Sequence, residues 1–338
     1  MKHSPHIQNY RRIGTITIFA VYFLILVGGI VRASGAGMGC PDWPTCFDRW
    51  IPPTMESQLP PNYQEIYAER GYADTRFNAI KTWTEYINRV IGVCIGFLVL
   101  LTVIFARPFL NTDKTIFFLS FAVFCLVGFQ GWLGAVVVGS NLRPYLITLH
   151  MITALFIVAI LIYTITRSQK VLVESIDLSN LDKRFRTITI VAMIMTLIQV
   201  IMGTQIREAV DVIAVQFNYE NREIWREHFP LIFYIHRTFS AVILATNAWL
   251  VWNLSKNYSP SNFLSRAGLV LGGLILFAIA TGITMDRFGI PAVAQPIHLL
   301  LAALIFGTQF FILIVISYAL RFHSPGSAIT SSLPPEMS

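Results

Sequence analysis

The chain has 338 residues, of which 55% are apolar and 13% charged, with a formal net charge of +7. A soluble domain carries about 25% charged residues, so an ordinary soluble enzyme is excluded. A nucleic-acid partner is excluded as well, because no basic tract is long enough and the cations segregate with the loops of a membrane protein.

Taken in chain order, eight apolar blocks lie at about 13–31, 84–106, 116–138, 146–166, 187–206, 231–254, 267–285 and 294–320. A run of roughly 20 apolar residues crosses the hydrocarbon core as a helix, since every backbone group must then be satisfied within its own segment. The fold class expected is an all-α membrane protein with eight transmembrane helices. The first block follows basic residues and precedes the small residues Ala33 to Gly37, as a signal peptide would. It exceeds the usual 7–15 residues of a cleavable core, so it reads as a retained span.

Orientation follows from the cations. With Lys2, Arg11 and Arg12 inside, the inner loops also carry Arg107, Lys114, Arg167, Lys170, Lys183, Arg184, Arg186, Lys256, Arg266 and Arg321. The short outer loops carry little beyond Arg143 and Arg287. This positive-inside bias predicts that both termini are cytoplasmic. Two outer segments are long: 32–83, rich in Pro, Trp and Tyr, and 207–230, rich in Glu and Arg. The polar inner loop 167–186 divides the chain into an N-terminal half, 1–170, and a C-terminal half, 171–323, followed by a Ser- and Pro-rich tail, 324–338, expected to be disordered.

The two halves are related. A shift of 148 residues lays Tyr86-Ile87-Asn88-Arg89 on Tyr234-Ile235-His236-Arg237, Gly134 on Gly282, His150 on His298 and Ala154 on Ala302. A separate shift lays Gly28 and Arg32 on Gly203 and Arg207. Apolar identities arise easily by chance, but polar matches at equivalent outer span ends do not. An even number of spans per repeat makes the halves parallel, related by an axis along the membrane normal. Each is expected to be a four-helix bundle with its site between facing helices.

Of the seven histidines, His3, His6 and His323 are terminal and His228 lies in a polar outer loop. His150, His236 and His298 fall just inside the outer ends of spans four, six and eight. One such histidine is as well explained by a hydrogen bond to a neighbouring helix, but three at repeat-equivalent positions point to ligands. Zinc usually needs three or four protein ligands. Haem needs only one or two axial imidazoles, which facing helices supply. His236 and His298 form the natural pair, and no Cys-x-x-Cys-His is present for covalent attachment. Arg32, Arg89, Arg207 and Arg237 sit at outer helix ends, where they either bind haem propionates or snorkel to the interface. Glu85 lies one turn before Asn88, as an interfacial charge or a proton carrier. Cys40 and Cys46, in the first outer loop, are either a disulfide or two free thiols, and the oxidising outer side favours the bond. Cys94 and Cys125 lie within spans and are expected only to pack as small apolar residues.

From about residue 13 to 320 the chain resembles the haem A synthase family. The resemblance is carried by Gly28-Gly29-Ile30-Val31-Arg32-Ala33-Ser34-Gly35-Ala36-Gly37-Met38 with the following Cys-Pro-Asp-Trp-Pro, by Trp83-Thr84-Glu85-Tyr86, and by the histidine-bearing starts of spans four, six and eight. It implies an inner- or plasma-membrane enzyme that oxidises the C8 methyl of haem O to the formyl of haem A. It further implies a haem b on His236 and His298, a substrate site with His150 and Glu85, and a functional pair in Cys40 and Cys46. The chain departs from the family pattern in carrying Asn88 where span two usually has a histidine, and in lacking a cysteine pair in the loop 207–230. The competing readings are a non-catalytic membrane cytochrome fed by quinol and a haem-binding oxidase assembly factor. Three histidines rather than four favour the enzyme, with Asn88 leaving an open iron face; the alternative at Asn88 is a degenerate site. The electron donor is a quinol or a redox protein, and haem O synthase or oxidase assembly proteins are candidate partners beside membrane lipid.

Overall fold

A computed structural model describes residues 5–170, 181–217, 220–222 and 224–322. The expected tail 324–338 and the middle of the loop between the halves lie outside the described residues. Among the described residues, eight helices are long and apolar enough to cross a membrane. They are α1 (Pro5–Ala33), α2 (Ala79–Ala106), α3 (Lys114–Gly139), α4 (Pro144–Arg167), α5 (Lys183–Gln216), α6 (Leu231–Asn257), α7 (Phe263–Arg287) and α8 (Ala294–Phe322). All eight predicted blocks are helices.

The helix starts follow local chemistry. The side chains of Asn78, Asp113, Asp182 and Asn262 accept hydrogen bonds from backbone N–H groups in the first turns of α2, α3, α5 and α7. Pro144 opens α4, where its missing N–H costs nothing. Asp113, just outside the span, also takes two hydrogen bonds from Arg167 (2.6 and 3.1 Å). Burial works to raise its carboxyl, but the Arg167 hydrogen bonds and charge outweigh it and hold it below the usual carboxylate range.

The helices extend beyond several of the apolar blocks, most at the end of the fifth. The fifth apolar block ends near 206, yet α5 continues to Gln216. The extension is amphipathic: Val210, Ile213 and Ala214 are buried against Trp225, Phe229 and Ile290. Hydropathy marks where the apolar run stops, whereas the helix stops where its apolar face runs out.

Helix contacts close two rings, α1–α2–α3–α4 and α5–α6–α7–α8. They meet where α8 packs on α1 and α4, and where α4 touches α5. The last helix is the best buried: Ala303, Ile305, Phe306, Ile312, Ile314 and Ile316 all lie in the main core. In contrast α3 and α6 turn large apolar side chains such as Phe118, Trp132 and Trp252 outward, as lipid-facing helices do.

The first outer segment folds as a small unit of its own. Phe47 is surrounded edge-on by Tyr63, Tyr67, Tyr72 and Phe77, and Cys40 is bonded to Cys46 within the same cluster. Burial raises the Tyr67 and Tyr72 phenols well above their usual value, so both stay neutral. Arg70 ties this unit to the outer end of α3 by donating to the Gly139 carbonyl (2.8 Å).

Candidate functional site

His150, His236 and His298 occupy the second turns of α4, α6 and α8. The rings of His236 and His298 face each other with centroids 6.4 Å apart. Two metal–nitrogen bonds of about 2 Å each, plus the distance from each ring centre to its own nitrogen, give a similar separation. The pair therefore fits one metal held between two imidazoles. Among the described residues no three His, Cys, Asp or Glu side chains converge as a zinc site would require.

His298 is oriented for this task. The Thr281 hydroxyl donates to the Ala278 carbonyl (2.9 Å), so it accepts at its oxygen from His298 Nδ1 (2.9 Å). With the proton on Nδ1, Nε2 keeps the lone pair a metal ion needs. His236 and His150 have no such partner, and Nδ1 of each is buried without a hydrogen bond. Their helices are held from behind instead. Gln199 donates to the His236 carbonyl and Gln130 to the His150 carbonyl, each at 2.9 Å.

Each histidine turns its Cε1 edge toward a glycine of the preceding helix: His150 toward Gly134, His236 toward Gly203 and His298 toward Gly282. Asn88 completes the set, with its Oδ1 nearest Gly28. The four site positions thus have the same neighbour in four successive helix pairs. The repeat aligned these glycines, but their contact with the site side chains was not read from it. Asn88 Oδ1 is buried without a partner, an amide oxygen in the place of an imidazole.

Glu85 is almost fully buried and engages Arg89 (2.5 Å). It also accepts from the backbone N–H of Cys40 (2.9 Å). Arg89 in turn donates to the carbonyls of Asp42 (2.7 Å) and Thr45 (2.9 Å). The pair therefore fastens the disulfide loop to one turn of α2, across sequence separations of 44 to 47 residues. Cys40 and Cys46 are both fully buried. Neither is expected to react with thiol reagents until the protein is reduced, whereas Cys94 and Cys125 are exposed on the helix faces. Alkylation and mass analysis check this; labelling of all four cysteines in an oxidised sample would contradict the bond.

The other arginines also face carboxylates. Arg32 of α1 and Arg207 of α5 share Asp211, at 2.9 and 2.5 Å. Arg237 and Arg226 share Asp286, at 3.5 and 3.2 Å. Sequence reasoning missed Asp211, Asp286 and Thr281. Asp211 had a visible signal, since it lies one helical turn beyond Arg207.

A family model described as COX15-CtaA, cytochrome oxidase assembly protein, matches residues 11–310. The chain belongs to the COX15-CtaA family. Among its relatives is a protein of Rickettsia bellii named Heme A synthase, 21% identical over 340 residues that cover 90% of this chain and 94% of that one. Proteins of the same name from Shewanella oneidensis and Bartonella quintana are 29% and 31% identical, over 49% and 41% of this chain. In these two cases the match spans about half the length of the relative, 48% and 43%. The COX15-CtaA match takes in α1 through most of α8, so all three span histidines, Glu85 and Asn88 lie within it.

Proposed function

We propose that this membrane protein is a haem A synthase, an oxidoreductase that converts the C8 methyl of haem O to a formyl group, with haem b as its resident cofactor. The observation that carries the reading is the facing pair His236 and His298 in one ring of helices, against His150 and Asn88 at the matching positions of the other. The domains follow: 1–170 takes the substrate haem and 171–323 the haem b. Haem, when bound, supplies the redox chemistry at its iron, tuned by its axial ligands and burial.

The chain's residues then divide the work. His298 and His236 would hold the resident haem, and His150 the substrate haem. Asn88 offers a carboxamide, a poor iron ligand, where the other half has the imidazole of His236. Glu85 is the carboxylate one turn from Asn88 and handles protons there. Arg32, Arg89, Arg207 and Arg237 supply cationic groups for the propionates. The outward ends of the helices face the non-cytoplasmic side of the plasma or inner membrane, with both termini cytoplasmic. Electrons come from a quinol or a redox protein, and haem O synthase and oxidase assembly proteins are the partners that deliver and receive haem. Co-expression with a source of haem O, followed by haem extraction and mass analysis, tests the reading. Haem A is expected, and recovery of unaltered haem O alone refutes it.

Asn88 gives this reading a spectroscopic test. Protein carrying two haems is expected to show one low-spin bis-histidine centre and one centre that binds carbon monoxide. Asn88→His should convert the second to low-spin and abolish its carbon monoxide reaction. Two bis-histidine centres in the unmodified protein would overturn the assignment.

A further inference from the structure

Arg32 stands one turn outward of Gly28, the neighbour of Asn88, and Arg207 one turn outward of Gly203, the neighbour of His236. The two arginines therefore sit at the mouths of different halves, and Asp211 joins them. Oδ2 of Asp211 meets Arg32 Nη2 and Oδ1 meets Arg207 Nη1, and Arg207 Nη2 also donates to the Arg32 carbonyl (3.4 Å). A guanidinium binds a carboxylate best through two parallel N–H bonds. In Arg32 the second of these donors, Nε, is buried and without an acceptor. Asp211 is about half exposed (47%), so water can take its place with little penalty, whereas Asp286 is only 11% exposed.

We propose that Arg32 presents its Nε–Nη2 edge to a propionate of the substrate porphyrin and that Asp211 yields Nη2 to it. Asp211 is thus a positioning and specificity residue, a competing carboxylate that sets how strongly carboxylated porphyrins are preferred. Because it also holds Arg207, its displacement passes the filling of the first mouth to the second. The inference rests on the haem reading above, and the two can fail separately.

The test is a titration of detergent-solubilised protein, purified with its second-half haem, with haemin or with haemin dimethyl ester, whose propionates are blocked. The resident low-spin spectrum reports that each variant is folded. Unmodified protein is expected to prefer the acid to the ester. Asp211→Asn should raise that preference about tenfold by removing the competitor. Arg32→Lys, which keeps the charge but loses the fork, should bring the two affinities together. An unchanged or reduced preference in Asp211→Asn overturns the proposal. Binding of neither porphyrin in any protein would instead overturn the haem reading on which it stands.

Discussion

Replacing either His236 or His298 with Leu is expected to abolish the low-spin bis-imidazole spectrum completely, not to weaken it in proportion. The reason is geometric. The two rings lie 6.4 Å apart by their centroids, a separation that suits one metal shared between them, and no third histidine is available in that ring of helices. A single remaining imidazole leaves one axial position without a protein donor, and the low-spin state is lost with it. The fold should survive, because insertion depends on the apolar spans and a leucine suits a helix and the bilayer alike. Thr281→Val is the graded companion. It removes the acceptor that fixes His298 Nδ1–H, and outer partners of this kind are worth about 10–100-fold in metal affinity. Optical and electron paramagnetic spectra of the purified variants decide the matter. A bis-imidazole spectrum retained in both histidine variants removes the assignment.

The second large effect is expected at Glu85. Glu85→Gln should lower turnover by roughly 10²–10⁴-fold, the usual contribution of a positioned acid or base, while second-half haem content stays near normal. The structure adds a complication with its own readout, because Glu85 also anchors the first outer loop through Arg89 and the Cys40 N–H. Removing one partner of a buried ion pair costs about 3–5 kcal/mol, and here that penalty falls on the loop. Arg89→Leu breaks the same pair but leaves the carboxylate. If proton handling is the main role, Glu85→Gln should be far slower than Arg89→Leu at equal accessibility of the disulfide to reductant and equal binding of the substrate haem, which separates out the place of Arg89 among the propionate cations. Equal rates and equally reducible disulfides would make Glu85 a loop anchor alone.

The spans and the three span histidines were legible for different reasons. Apolar blocks are local, so each span could be read from its own residues. His150, His236 and His298 were legible because the repeat placed them at one register, and Asn88 because it broke that register. What was not legible was the set of long-range pairings. Arg89 reads as a cation at a span end, and only the fold brings it to the carbonyls of Asp42 and Thr45. The bridge from Arg32 to Asp211 joins residues 179 apart in sequence, and no periodicity reports such a contact. The continuation of α5 past 206 was hidden for a third reason: its apolar face is covered by protein rather than lipid, so its average hydropathy falls although its helix does not end.

The position of α8 bears on how the molecule is made. It supplies a wall to both rings, packing on α1 and α4 as well as on α5 and α7, yet it is the last of the eight spans to leave the ribosome. Until then α1 and α4 have no permanent neighbour on that side, and His236 waits without the helix that carries its counterpart. The arrival of α8 therefore joins the two rings and brings His298 to His236 in one step. A chain cut short before Ala294 would keep seven of these spans but lack the helix that packs on both rings and carries His298.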